Sequence, residues 1–240
     1  TLGNDLAAMV YKDGKLIYKK ELGDFTAKTP APIASCSKWL TAALVMSFVD
    51  QGKLDLDEPV SKYIPAFEKY MKGYVTLRHC LSHTTGIERE GGKVGKLLDR
   101  KKYETLEEEV NAIASKEISN NPGKEFFYGS YGLNIAARIC EVVGKKTFER
   151  LMQERITRPL RMRATSFAND NGNAPNPSGG AKSTANDYMN FLTMILNKGM
   201  FEGKTILSTT AIDEMQKVQM ADLPIKYTPK VAEGFEYGLG

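Results

Sequence analysis

Ala34-Ser35-Cys36-Ser37-Lys38-Trp39-Leu40 opens the longest apolar stretch of the chain. Trp39, Leu40, Ala42, Ala43, Leu44, Val45, Met46, Phe48 and Val49 follow, with Thr41 and Ser47 between them. A helix apolar on nearly every side belongs in a core. Gln51-Gly52 stops it, and Gly suits the left-handed turn after a helix end. The pattern therefore predicts a buried helix with Ser35 and Lys38 at its N-terminus, three residues apart and on one face. A serine hydroxyl is a poor nucleophile until a neighbour takes its proton. A lysine amine does so when burial lowers its pKa. The free N–H groups of a helix start favour developing negative charge. Ser-x-x-Lys is thus the pattern of a serine acyl-transfer site that needs no histidine. The same four residues are also met by an N-cap serine beside a solvated lysine, so the rest of the chain must decide.

Composition narrows the class. The chain has 240 residues, 42% hydrophobic and 26% charged, as in an ordinary globular protein. A net charge of +4 is too small to imply a nucleic-acid partner. Basic residues gather over 89–102 with glutamates among them, which reads as a solvated loop or helix face. No apolar run reaches the length of a membrane span. The chain starts at Thr1 and shows no signal peptide, so a removed leader is left open. Cys36, Cys80 and Cys140 are odd in number and far apart, which implies buried free thiols and not a disulfide framework.

Only two histidines are present, His79 and His83, and no Gly-x-Ser-x-Gly elbow occurs. A serine enzyme built from this chain would favour a lysine- or tyrosine-based mechanism. His79 and His83 stand four apart, as metal ligands on one helix face can. No glutamate follows His79 and no acidic third ligand is placed by spacing, so neither metal nor cofactor is expected. The run 90–97 faintly resembles a phosphate loop. Its glycine gap is one residue short, and Leu97 stands where Ser or Thr is required.

Taken in order, 6–11 and 16–22 read as strands joined by Asp13-Gly14, a strong hairpin turn. A Pro-rich loop (Thr29-Pro30-Ala31-Pro32) leads to Ser35. Residues 61–67 suggest a short helix ending at Pro65. Thr76 caps a helix over 77–82, and Thr105 one that runs to about 116. Asn120-Asn121-Pro122-Gly123 is a turn. Helices are expected over 131–143 and 147–156, and 169–180 is a loop. Ser183 is expected to cap a helix over 185–197, and Ser208 one over 210–218. Residues 235–240 look like the start of a strand. Two strands alone make no stable sheet, so further strands must come from the C-terminal end.

Tyr128-Gly129-Ser130 is the second candidate element. A free phenol has a pKa of about 10, and a nearby ammonium favours phenolate. A tyrosine facing Lys38 would share its proton-shuttle role, and Ser130 would hydrogen-bond substrate. The alternative is a core tyrosine with Ser130 as a helix cap.

Together these residues resemble the β-lactamase-related serine hydrolases: class C β-lactamases, D-alanyl-D-alanine carboxypeptidases, esterases and oligoamide hydrolases. Ile33 to Lys38 matches the family's nucleophile motif. The run from Gly52 to Val60, with Tyr63-Ile64-Pro65, matches its next signature. Leu81-Ser82-His83-Thr84-Thr85-Gly86-Ile87 is similar to its Ser-His-Thr-Ser-Gly loop. Pro122-Gly123 with Phe127-Tyr128 resembles its second catalytic element. Gly179-Gly180, Ser183-Thr184-Ala185, Asp187, Gly203-Lys204 and Leu207-Ser208 match later landmarks.

The resemblance implies an α+β fold, an antiparallel sheet flanked by helices. A single domain would span 1–240, with sheet-associated parts about 1–54 and 181–240 and a helical region about 55–180. It implies a serine hydrolase cleaving an ester or amide bond. Ser35 would be the nucleophile, Lys38 and Tyr128 the proton carriers, the Ser35 N–H an oxyanion donor, Ser130 a substrate contact and His83 a structural loop residue. The partner would be a small ester, amide or peptide, and the compartment periplasmic or secreted.

Two departures qualify the substrate. Ser130 replaces the Asn of the class C Tyr-x-Asn motif, which favours esterases or amidases over β-lactam hydrolysis. The family's third motif, on a strand with the second oxyanion donor, would follow Gly240, and its N-terminal helix would precede Thr1. The natural protein is therefore expected to continue past both ends. The alternatives are a penicillin-recognising peptidase or sensor that acylates with little turnover, and a non-catalytic scaffold.

Overall fold

A computed structural model of the protein describes residues 4–87, 103–168 and 172–240. The runs read as a basic cluster (89–102) and as a near phosphate loop (90–97) lie outside the described residues, as does the start of the 169–180 loop. The chain opens with an antiparallel hairpin of β1 (Leu6–Lys12) and β2 (Lys15–Leu22), in the register Leu6 opposite Leu22. Asp13 and Gly14 take φ of +50° and +73°. A two-residue turn that matches strand twist needs positive φ at both positions, and Asp-Gly supplies it. Every residue of β2 is exposed.

A short pair, β3 (Ala31–Pro32) against β5 (Lys182–Ser183), sets the entrance to α1 (Ser37–Val49). That helix is the centre of the core. All of its residues from Leu40 to Phe48 are buried. It ends as the sequence predicts, with Gly52 at φ +64° and its N–H on the Val49 carbonyl at 2.8 Å.

Around α1 the chain adds α2 (Ala66–Lys69), α3 (Leu77–Leu81), α4 (Leu106–Ala114), β4 (Phe126–Phe127), α5 (Tyr131–Gly144) and α6 (Phe148–Met152). Then come α7 (Ala185–Leu196), the hairpin of β6 (Met200–Phe201) and β7 (Lys204–Thr205), α8 (Thr209–Gln216) and β8 (Ile225–Tyr227). Helices α5, α6 and α8 contact α1, and α7 lies against β1. Most of the described buried apolar side chains form one cluster that runs from Leu40 to Leu239. Arg78 on α3 clamps two distant parts to it, through Asp57 at 2.7 and 2.8 Å and through Glu214 on α8.

The structure corrects six local expectations. Pro65 does not end a helix. It precedes α2, because a helix start has no use for the N–H that proline lacks. Thr184, not Ser183, caps α7: its hydroxyl accepts the Asp187 N–H at 3.1 Å, while Ser183 sits in β5 and bonds Thr165 at 2.7 Å. The helix over 147–156 passes at Gln153 into a π turn, Gln153–Thr157. Residues 235–240 form no strand. The Leu239 and Gly240 N–H groups go to carbonyls at or near the ends of α8 and α3, those of Met215 and Leu81. The late strand that does form, β8, runs parallel to β4 and does not extend the first hairpin. Cys80 and Cys140 are buried, but Cys36 is exposed, since it lies in the turn before α1.

Helices α3 and α5 meet at Gly132. A Cβ there would lie 2.0 Å from the Cys80 carbonyl oxygen, a backbone atom with nowhere to go. Gly132→Ala should therefore lower stability by about 1–3 kcal/mol. Urea unfolding checks this, and an unchanged midpoint would mean that the helices part freely.

Candidate active site

The site is assembled at the mouth of α1. A single 3-10 turn, Ala34–Cys36, precedes it. Ala34 takes φ +45°, a left-handed conformation uncommon for alanine, directly before Ser35. Ser35 is exposed, whereas Lys38, one turn on, is 4% exposed. The Lys38 Nζ donates to Ser35 Oγ at 3.2 Å and to the Ser178 carbonyl at 2.7 Å. Two more bonds stitch the same loop to α1. Thr41 donates to the Pro177 carbonyl at 2.8 Å, and the Ala181 N–H donates to Ser37 Oγ at 3.0 Å.

The second wall is the turn between β4 and α5. Tyr128 is fixed through its N–H, which donates to the Tyr227 carbonyl of β8 at 3.0 Å. Its ring centroid lies 4.8 Å from Lys38 Nζ. Burial pushes the Tyr128 phenol above its ordinary range, and a hydrogen bond with Ser35 pulls the other way. Ser35, Lys38 and Tyr128, read from separate stretches of sequence, are thus brought together. Ser130 opens α5 without a side-chain cap bond. It lines a small cavity of about 20 Å³ with His83, Thr85 and Gly129.

His79 and His83 stand four apart in sequence, and the structure gives them separate roles. His79 Nδ1 accepts the Thr76 N–H at 3.1 Å and closes a capping box on α3. His83 lies past the helix end at φ +59°, 4% exposed. It is ringed by Phe126, Tyr128 and Tyr237. Burial, helped by the Lys38 charge, pushes its pKa down to about 3. Among the described residues no group of three or more His, Cys, Asp or Glu is placed to hold a metal.

Three participants were missed. The Ser178 carbonyl is a backbone group and leaves no side-chain signal. Tyr237 sits in a stretch read only as strand. Tyr227 also acts through its backbone.

A sequence model of the beta-lactamase family matches residues 4–240. The chain belongs to the beta-lactamase family. A solved structure of a putative beta-lactamase from Bacteroides dorei DSM 17855 is 35% identical, with a TM-score of 0.86 over 97% of this chain and 72% of that one. Protein flp of Staphylococcus aureus (strain MW2) is 26% identical over 174 residues, 68% of this chain and 34% of that protein. The D-alanyl-D-alanine-carboxypeptidase/endopeptidase AmpH of Escherichia coli (strain K12) is 25% identical over 193 residues, 71% of this chain and 50% of that protein. The chain therefore spans a third to a half of these two curated relatives. The family is one of serine hydrolases on an α+β fold, as the sequence resemblance implies. No described helix is long and apolar enough to cross a membrane.

The buried histidine sets a pH dependence. In the unfolded chain a histidine protonates near 6.5, while folded His83 does so only near 3. Between these values the unfolded state binds more protons, so stability falls as pH drops from 6.5 towards 3. His79, also lowered by burial, acts in the same sense. The urea midpoint should decline across that window and decline less steeply in His83→Asn. Equal slopes would show that His83 is not buried neutral.

Proposed function

We propose that this protein is a serine hydrolase that cleaves an ester or amide bond of a small molecule or peptide through an acyl-serine intermediate. One observation carries the reading: the buried Lys38 amine touches the exposed Ser35 hydroxyl at 3.2 Å. A buried base next to a solvent-facing nucleophile leaves substrate access to the hydroxyl and keeps water from the amine.

In the acylation step Ser35 Oγ bonds to the substrate carbonyl carbon and gives its proton to the Lys38–Tyr128 pair. The negative charge that develops on the carbonyl oxygen faces the 3-10 turn before α1, where the Ser35 N–H serves as a donor. The bond to the leaving group then breaks, and the pair returns the proton to it. Deacylation reverses these roles with water as nucleophile. The Ser178 carbonyl acts throughout as the fixed acceptor that keeps Lys38 beneath Ser35. Ser130, two residues past Tyr128, contacts substrate. Its single hydroxyl suits an ester or a simple amide better than a ligand that needs an amide pair. A D-alanyl peptide is a candidate substrate class, since the Escherichia coli relative is named for one.

Two substitutions test the reading on the full protein. Ser35→Ala should abolish labelling by a fluorophosphonate, followed by intact mass and adduct mapping, and should abolish ester hydrolysis. Normal turnover in that variant would overturn the mechanism. Tyr128→Phe should slow hydrolysis by about 10²- to 10⁴-fold with the thermal midpoint retained. An unchanged rate would return Tyr128 to a packing role.

A further inference from the structure

His83 holds the backbone on both sides of Tyr128. Its carbonyl oxygen accepts the Phe127 N–H at 2.9 Å. Its ring Nδ1 accepts the Gly129 N–H at 3.3 Å. The imidazole and the Tyr128 ring lie 4.7 Å apart between these two bonds. The φ of +59° at His83 is unusual for a residue with a side chain, and it occurs at the one position that makes both contacts.

The chemistry of the partners fixes the state of the ring. A backbone N–H only donates, so Nδ1 must present a lone pair. The proton of the neutral ring then sits on Nε2, which lies 3.0 Å from the Tyr237 hydroxyl. A hydroxyl accepts as readily as it donates, so this partner is compatible. Among the described residues, the titratable groups that face the ring are Lys38, Tyr128 and Tyr237. None of these three is a carboxylate, which would favour the imidazolium. Burial beside Lys38 keeps the ring neutral until the pH approaches 3, so the Gly129 bond persists through neutral and mildly acid conditions.

We infer that His83 is a positioning residue for Tyr128: by anchoring Phe127 and Gly129 it sets where the phenol stands relative to Lys38 and Ser35. The inference rests on the reading of Tyr128 as a proton carrier. It gives the Ser82-His83-Thr84-Thr85-Gly86 loop a part in turnover, with His83 acting through where it holds Tyr128. Tyr237 enters as the partner of Nε2, which ties the last described residues of the chain to the same loop.

The test compares His83→Asn, His83→Gln and His83→Leu in the full protein. Asn places a polar atom near the Nδ1 position and tolerates positive φ. Gln places one near Nε2 and leaves Gly129 without its acceptor, and Leu removes both. Hydrolysis of a p-nitrophenyl ester is measured across pH, and kcat is expressed per site labelled by the fluorophosphonate, so that unfolded protein does not count. His83→Leu and His83→Gln should lose about 10- to 100-fold in kcat with a much smaller change in KM. The alkaline limb of their pH profiles should shift, because it reports the Tyr128 environment. His83→Asn should recover most of kcat.

Leu or Gln variants with the wild-type kcat per labelled site would overturn the inference, as would Asn and Gln variants impaired alike. If His83→Leu does not fold, the Asn and Gln pair decides the matter alone. A wild-type protein that is not labelled at Ser35 would sink the proposed function and this inference with it. Labelled wild type with indifferent His83 variants would sink this inference only.

Discussion

Lys38 is an amine buried on a helix whose other buried positions are mostly apolar, with the hydroxyls of Ser37, Thr41 and Ser47 among them. An ionisable group in such a place is costly unless it is well partnered. Its partners come from three directions: the Ser35 hydroxyl one turn back, the Ser178 carbonyl from a loop 140 residues on, and the face of the Tyr128 ring. The rest of the structure can be understood as what is needed to bring them there. The β3–β5 pair sets the loop 177–181 against α1, and the β4–β8 pair fixes the backbone of Tyr128.

The arrangement also divides labour between rigid and reactive parts. The apolar body of α1 packs against α5, α6 and α8 and gives the lysine a fixed base. The turn before it carries the strain, with Ala34 in the left-handed region, and carries the exposed groups, Ser35 and Cys36. Strain next to a candidate nucleophile persists only where the surroundings hold it, and here the Ile33 N–H on the Ala181 carbonyl at 3.0 Å helps to do so.

Much of this was legible in local sequence. The α1 helix, its Gly52 stop, the Asp13-Gly14 hairpin and the capped start of α3 each follow from a few neighbouring residues, because apolar periodicity and turn chemistry act over short range. Where expectation failed, a nearby alternative was closely matched. Ser183 and Thr184 are adjacent hydroxyl residues, and the choice of cap fell to the one not drawn into β5. Residues 235–240 have the composition of a strand, yet their N–H groups find carbonyls near helix ends. Composition cannot tell which acceptor lies nearby.

The sequence by itself determined the buried helix, the Ser35–Lys38 spacing at its mouth and, by resemblance, the family. These depend on residue type and on separations of a few positions. Only the tertiary structure decided that Tyr128 meets Lys38, that the second acceptor for the lysine is the Ser178 carbonyl, and that His83 sits neutral between Phe127 and Gly129 instead of pairing with His79. Those contacts join segments from 44 to 140 residues apart and several run through backbone atoms. Every residue has the same carbonyl and nearly every one the same N–H, so packing alone selects which of them the site uses.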